Sequence, residues 1–231
     1  MPKPEAVIIG AGDGLSAAIA RELAADHALT LAARSGEKMQ DVAKATEART
    51  VLLDATDESS VAALIDNLET PPRVVVYNPS ARVRGPITDI SVDDLRSAIE
   101  VTAIGAFIAG KHAARRMLEA DPIDGKRGTI LFTGASAGVK GFPQSASFAM
   151  GKFAQRGLAE SMARELHPKG IHVVWVNIDG GILNPGRSEP KDKPGSMLRP
   201  EAIARTYRHM IEQDRSAWSN EVSVRPWVEK F

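Results

Sequence analysis

Short runs of β-type apolar residues alternate along this chain with longer segments of helical periodicity, and no other feature narrows the fold as far. The strand candidates are 6–9, 28–32, 50–53, 73–77, 129–133 and 171–178, each a near-continuous apolar run. Runs without in-and-out alternation are expected of strands covered on both faces. Between them, segments 15–25, 36–45, 59–68, 92–120, 147–166 and 200–213 carry a helical pattern. Such alternation predicts an α/β fold, a doubly wound parallel sheet flanked by helices. At 231 residues the chain can bury one full core, so 1–231 reads as a single domain. Ligands of open parallel sheets sit beyond the carboxyl ends of the strands, which directs the search for function to the loops there.

Composition removes several alternatives. The 29 Lys plus Arg balance 29 Asp plus Glu, which leaves no electrostatic footprint for nucleic acid or an anionic membrane surface. The absence of Cys excludes disulfides, thiolate catalysis and Cys-based metal sites, and it fits a reducing compartment. His27, His172 and His209 are read as having no carboxylate or second His at ligand spacing, so no metal site is expected. The apolar run at 6–9, flanked by Lys3, Glu5 and Asp13, reads as a strand and not as a signal peptide. No stretch approaches the roughly 20 apolar residues of a membrane span, and a cytoplasmic protein is expected. Segment 183–200, with four Pro and two Gly, is either a solvated linker or a flap over a substrate.

After the first strand comes Gly10-Ala11-Gly12-Asp13-Gly14-Leu15-Ser16, leading into a helical pattern. Glycines permit a tight turn and close approach of backbone to a pyrophosphate, which then meets the free N–H groups of the helix start. The third Gly falls one residue earlier than in GxGxxG. At the end of the second strand an Arg would pair with a 2′-phosphate, whereas an acid would bind a ribose 2′-OH. The residue there is Arg34, which favours NADP over NAD, while Asp13 in the turn would repel a 2′-phosphate. After the third strand, Asp54 could meet an adenine amino group, or Asp54 or Asp57 could cap the next helix.

These elements, with Tyr77-Asn78-Pro79-Ser80 after the fourth strand, resemble the short-chain dehydrogenase/reductase family over almost the whole chain. Gly10 to Ser16 is similar to the family's TGxxxGxG, with Ile9 for Thr and Ser16 for the last Gly. Asp54 matches its adenine-contacting Asp, and Tyr77 to Ser80 match its NNAG while keeping only Asn78. Lys152 to Ser161, then Glu165-Leu166 and Gly170-Ile171-His172-Val173, resemble its active-site helix and following strand. The resemblance implies a Rossmann-type oxidoreductase using NADP or NAD on a small-molecule substrate, assembled as a homodimer or homotetramer. The implied cofactor contacts are Gly10, Gly12, Asp13, Gly14, Leu15, Arg34, Asp54, Asn78, Pro79, Ser80, Lys152 and Gly180.

The catalytic positions depart from that pattern. The family places a Tyr four residues before its Lys, on one helix face, so the ammonium lowers the phenol pKa while holding the nicotinamide ribose. Here Lys152 is present, but Phe148 stands four residues before it; the Ser position falls on Ala135, with Ser136 one place late. The Asn position is Thr102, and Ile178-Asp179, followed by Gly180, replace the Pro-Gly. A missing general acid removes about 10² to 10⁴ in rate. The proton could come from Ser136, Ser145, Ser147, bound water or Lys152 itself. The chain has only two Tyr, Tyr77 and Tyr207; each either points into the site or is a partly buried aromatic. His112 reads as a packed or surface His, and His167 as a helix-end cation. Residues 218–231 read as a last edge strand and apolar tail. Two readings stay open: an oxidoreductase with a degenerate proton relay, and a non-catalytic NAD(P)-binding sensor or assembly subunit.

Overall fold

A computed structural model describes residues 2–229. Seven parallel strands form one sheet: β1 Glu5–Ile9, β2 Ala28–Ala33, β3 Arg49–Leu52, β4 Val74–Tyr77, β5 Gly128–Thr133, β6 Ile171–Ile178 and β9 Glu221–Val224. Their order across the sheet is β3-β2-β1-β4-β5-β6-β9. The chain therefore winds outward from β1 to β3, then returns to lay β4 beside β1, and the carboxyl ends of β1 and β4 border the crevice at that reversal. β7 Gly181–Ile182 and β8 Met197–Leu198 form a separate two-stranded ladder.

The helices are α1 Leu15–Leu23, α2 Gln40–Thr46, α3 Glu58–Asp66, α4 Val92–Ile99, α5 Gly105–Leu118, α6 Ala146–Leu166 and α7 Pro200–Glu212. Alternate residues of each central strand feed different cores. Val7, Ile9, Val75, Ile130, Phe132 and Trp175 pack with α3, α5 and α6, while Ile8, Val74, Val76, Leu131, Val174 and Val176 pack with α1, α2 and α7. This double cover explains the continuous apolar runs. β3 is the exception: Leu52 is 70% exposed, because an edge strand has one neighbour and Arg49 and Thr50 beside it face solvent.

The pattern at 92–120 reads as one helix, but α4 and α5 are joined by a π turn at Glu100–Ile104. The widened turn offers the carbonyls of Val101 and Thr102 to partners outside the helix: Tyr77 Oη donates to the first at 2.5 Å and Gln155 Nε2 to the second at 3.1 Å. A single inserted residue leaves the apolar period on either side intact, so periodicity does not reveal it. The expected last strand is present as β9; Lys230 and Phe231 of the tail lie outside the described residues. Segment 183–200 follows β7, contains β8 and is tied internally by Leu183 N–H to Leu198 O at 2.9 Å and Met197 N–H to Glu189 Oε1 at 3.1 Å.

Candidate active site

Gly10 leaves β1 with φ +81°, and a Cβ there would lie 2.7 Å from Pro79, so backbone conformation and space both demand glycine. Its N–H and that of Ala11 both donate to Ala32 O, at 2.8 and 3.0 Å. Asn78 Nδ2 donates to Ser16 Oγ at 2.7 Å, and Ser16 Oγ to Gly10 O at 3.0 Å, which ties the turn to the end of β4. Gly12 has open space where a Cβ would be, and at Gly14 the Asn184 side chain occupies that place. Gly14 begins α1 without a side-chain cap. The first backbone bond of that helix is Ala18 N–H to Gly14 O, so the N–H groups of Leu15, Ser16 and Ala17 have no acceptor within the helix. Beside them, the buried Asn184 Oδ1 also lacks a partner. Unpaired donors at a positive helix end, reached across glycines, fit a pyrophosphate.

From this turn two clefts open, sharing Gly10 and Ser80. The smaller, about 550 Å³, is lined by Arg34, Ser35, Lys38, Asp54 and Pro79. Asp57, not Asp54, caps α3 by accepting Ser59 N–H at 3.0 Å. Asp54 instead closes a local turn through Oδ1, which accepts the N–H and hydroxyl of Thr56 at 3.0 and 2.8 Å. Those bonds, backbone first, hold its carboxyl below the usual range, with a smaller contribution from Arg34. Asp13 is exposed and lines neither cleft.

The larger cleft, about 730 Å³, contains Gly12, Gly14, Leu15, Asn78, Ser136, Phe148, Lys152 and Gly180. Lys152 is buried on α6, and its Nζ donates to Thr133 O at 2.5 Å and Gln155 Oε1 at 3.1 Å. Burial, reinforced by the positive charge of Arg82, lowers its pKa to about 7. Gln155, one turn further along α6, continues the chain to Thr102 O at 3.1 Å. Thr102 Oγ1 accepts Ala81 N–H at 3.0 Å. Phe148 is buried, with the Arg82 guanidinium 4.0 Å from its ring centroid. Ser136 and Ser145 line the cleft. Ser147 does not: its hydroxyl donates to Val83 O at 2.9 Å and accepts Val83 N–H at 3.2 Å.

Neither tyrosine faces either cleft. Tyr77 is fully buried with its hydroxyl on Val101 O, and Tyr207 is fully buried with its hydroxyl 2.7 Å from Thr133 Oγ1. Burial raises both phenol pKa values, so both are core groups. His112 is packed, its Nε2 3.1 Å from Glu58 Oε1. His167, expected as a helix-end cation, has its Nε2 accepting Val173 N–H at 3.1 Å, and burial lowers its pKa. Gly180 has φ +154°, and a Cβ there would press on Pro226 and Leu198.

The sequence reading missed Gln155, Lys38 and three arginines of the larger cleft, Arg82, Arg84 and Arg187. Gln155 stands three residues after Lys152, a helical neighbour spacing that was available as a signal. The arginines lie on two irregular segments that have no periodicity to read.

Residues 4–188 match the model of the short chain dehydrogenase family. A short-chain dehydrogenase structure from Rhodopseudomonas palustris is 34% identical, covers 97% of this chain and 99% of its own, and superposes with a TM-score of 0.81. Among curated proteins, the cis-4-hydroxycyclohexanecarboxylate dehydrogenase of Sinomonas cyclohexanicum is 33% identical over 73% of this chain and 69% of its own. The L-2,3-butanediol dehydrogenase of Corynebacterium glutamicum is 28% identical over 88% and 81% respectively.

Proposed function

The chain belongs to the short-chain dehydrogenase family, and from that premise we propose that it is an NADP-preferring oxidoreductase whose proton-carrying group is Lys152. The observation that carries this reading is the pair of clefts that meet at Gly10 and Ser80. Together they span from Arg34 and Lys38, past the unpaired N–H groups of α1, to a buried lysine of depressed pKa.

Gly12, Gly14 and the start of α1 would hold the pyrophosphate, Arg34 and Lys38 a 2′-phosphate, and the free Oδ2 of Asp54 the adenine amino group. Asn78, Ser80 and Gly180 would border the nicotinamide. The bound cofactor supplies or accepts a hydride. Lys152 is the group we assign to supply the proton: Phe148 has none to give, both phenols are buried elsewhere, and the hydroxyls of Ser136 and Ser145 are poor acids at neutral pH. Two of its three N–H donors are engaged by Thr133 and Gln155, leaving one for the cleft, and a pKa of about 7 lets it act as acid or base near neutral pH. The Ser136 hydroxyl, in the same cleft, would hold the substrate oxygen. The relatives named as dehydrogenases of a diol and of a hydroxy-carboxylate support an alcohol and carbonyl pair as reactants.

Assembly as a homo-oligomer belongs to the same proposal. Ile104, Phe107, Met150 and Phe153, on the π turn, α5 and α6, are each at least 41% exposed, and a second copy would cover them. No helix among the described residues is long and apolar enough to cross a membrane.

The Arg82 guanidinium over Phe148 favours the second reading, a cofactor-binding subunit without turnover, because it occupies the space beside the missing acid. Titrating NADPH and NADH by calorimetry and assaying carbonyl reduction separates the readings. Tight NADPH binding with turnover of at least one carbonyl is expected; binding without turnover of any would leave the second, and no binding would remove both.

A further inference from the structure

The larger cleft holds four cationic side chains, Arg82, Arg84, Lys152 and Arg187, and no Asp or Glu lines it. Among the described residues, none of these three arginines takes part in an ion pair, whereas seven of the other fifteen arginines do. The arrangement is held in place from behind. Ala81 N–H is bound by Thr102 Oγ1, and Val83 is clamped through both backbone groups by Ser147. Gly85 N–H reaches Gln144 O at 3.4 Å. Residues 81, 83 and 85 thus bond toward the π turn and the start of α6, and the intervening Arg82 and Arg84 line the cleft. Arg187 approaches from the segment between β7 and β8. Its guanidinium makes only a 3.5 Å contact to Ile182 O.

Like charges gathered without a counter-ion repel one another, and the repulsion is relieved when an anion enters. Burial and the charges of Arg84 and Arg187 together lower the pKa of Arg82, so the three groups act on one another. Guanidinium groups bind carboxylate and phosphate with two parallel hydrogen bonds each. The glycine turn and α1, on the opposite wall, already provide for a pyrophosphate. Arg82 stacks instead on Phe148, at the reaction end.

We propose that the substrate is an organic oxyanion, an oxo or hydroxy compound whose carboxylate or phosphate is held by Arg82, Arg84 and Arg187. The inference rests on the oxidoreductase reading for the reacting carbon, and on the arginines alone for the anion. Arg84 and Arg187 set specificity, and Arg82 does so from beside the reacting centre.

The test uses the whole protein saturated with NADP⁺. Calorimetry measures binding of a panel of 2-oxo, 3-oxo and hydroxy carboxylates and of sugar phosphates, each against its methyl ester or dephosphorylated counterpart. At least one anion should bind about tenfold or more tightly than its neutral partner. Arg84→Gln and Arg187→Gln should weaken it about tenfold to a hundredfold, with Arg84→Lys recovering part of the loss. The NADPH dissociation constant should change less than about twofold in all three variants. Unchanged thermal unfolding shows that the variants are folded. A carboxylate or a phosphate as the preferred group decides between the two sources. No preference for anions across the panel overturns the inference. So does a loss of NADPH affinity without loss of anion affinity, which would assign the arginines to the cofactor. Arginine-dependent anion binding without turnover would leave this inference standing and remove the reaction. Turnover of neutral carbonyls alone would do the reverse.

Discussion

At the adenosine end of the crevice, the groups offered to a ligand are backbone donors at a helix start, with side chains placed at strand ends. At the reaction end nearly every group is a side chain held by another side chain or by a displaced carbonyl. Lys152 hangs between Thr133 O and Gln155, Gln155 reaches the π-turn carbonyl of Thr102, and Arg82 lies on Phe148. Backbone donors come with the fold and survive substitution, provided glycine stays at Gly10 and Gly14. Side-chain relays change one residue at a time. On the proposed reading, that difference lets the cofactor-binding outline persist while the proton path changes.

Lys152→Met is expected to break the reaction end hardest. Removing the proton carrier should lower kcat by about 10² to 10⁴, while NADPH affinity measured by fluorescence changes less than about tenfold. Equal loss of both would show that the two ends are not separable. At the other end, Arg34→Gln combined with Lys38→Gln should weaken NADPH about tenfold to a hundredfold and leave NADH unchanged. An equal effect on the two cofactors would mean that these cations do not face a 2′-phosphate. Phe148→Tyr returns a phenol four residues before Lys152, and a gain of about tenfold in carbonyl reduction is expected, below the full contribution of a general acid. The restored hydroxyl would still have Thr102 where the family's relay has Asn. No gain in reduction would place the deficit at Thr102 or Ala135.

The central sheet was legible in sequence because strands covered on both faces must be apolar throughout, as in β4, β5 and β6. β3 was legible only as to place, since its exposed Leu52 breaks that rule at the edge. The glycine turn, Arg34, Asp54, Asn78 and Lys152 could be found because each is fixed by its distance from a strand end or along a helix. Asp13 could not be judged, since direction out of a turn is not encoded in spacing. Gln155 escaped notice because a glutamine on an apolar helix has many bland explanations, and its partner is a carbonyl freed by a π turn. Arg82 and Arg84 line the cleft from a segment whose backbone is held at Ala81 and Val83 by Thr102 and Ser147, both distant in sequence.

The smallest expected effect concerns how strongly the arginines and Lys152 are coupled. Burial is the main cause of the depressed Lys152 pKa and Arg82 the lesser one. Arg82→Gln should therefore raise the pKa from about 7 by less than about one unit. Reduction requires protonated Nζ, so its kcat should fall as pH rises through about 7, and the variant should carry that fall to higher pH. Stability gives an independent reading. The unfolded lysine, near its ordinary value of 10.5, binds a proton that the folded one has released, so between pH 7 and 10.5 the unfolded state holds more protons. Stability therefore rises with pH across that window, and the destabilisation from burying the charge is fully present below pH 7. Urea unfolding at pH 6, 7.5 and 9 should show the rise in the native protein, a later onset in Arg82→Gln, and a flatter profile in Lys152→Met. A rise of equal size in Lys152→Met would assign it to another group, with half-buried Lys126, also depressed by burial, the next to test.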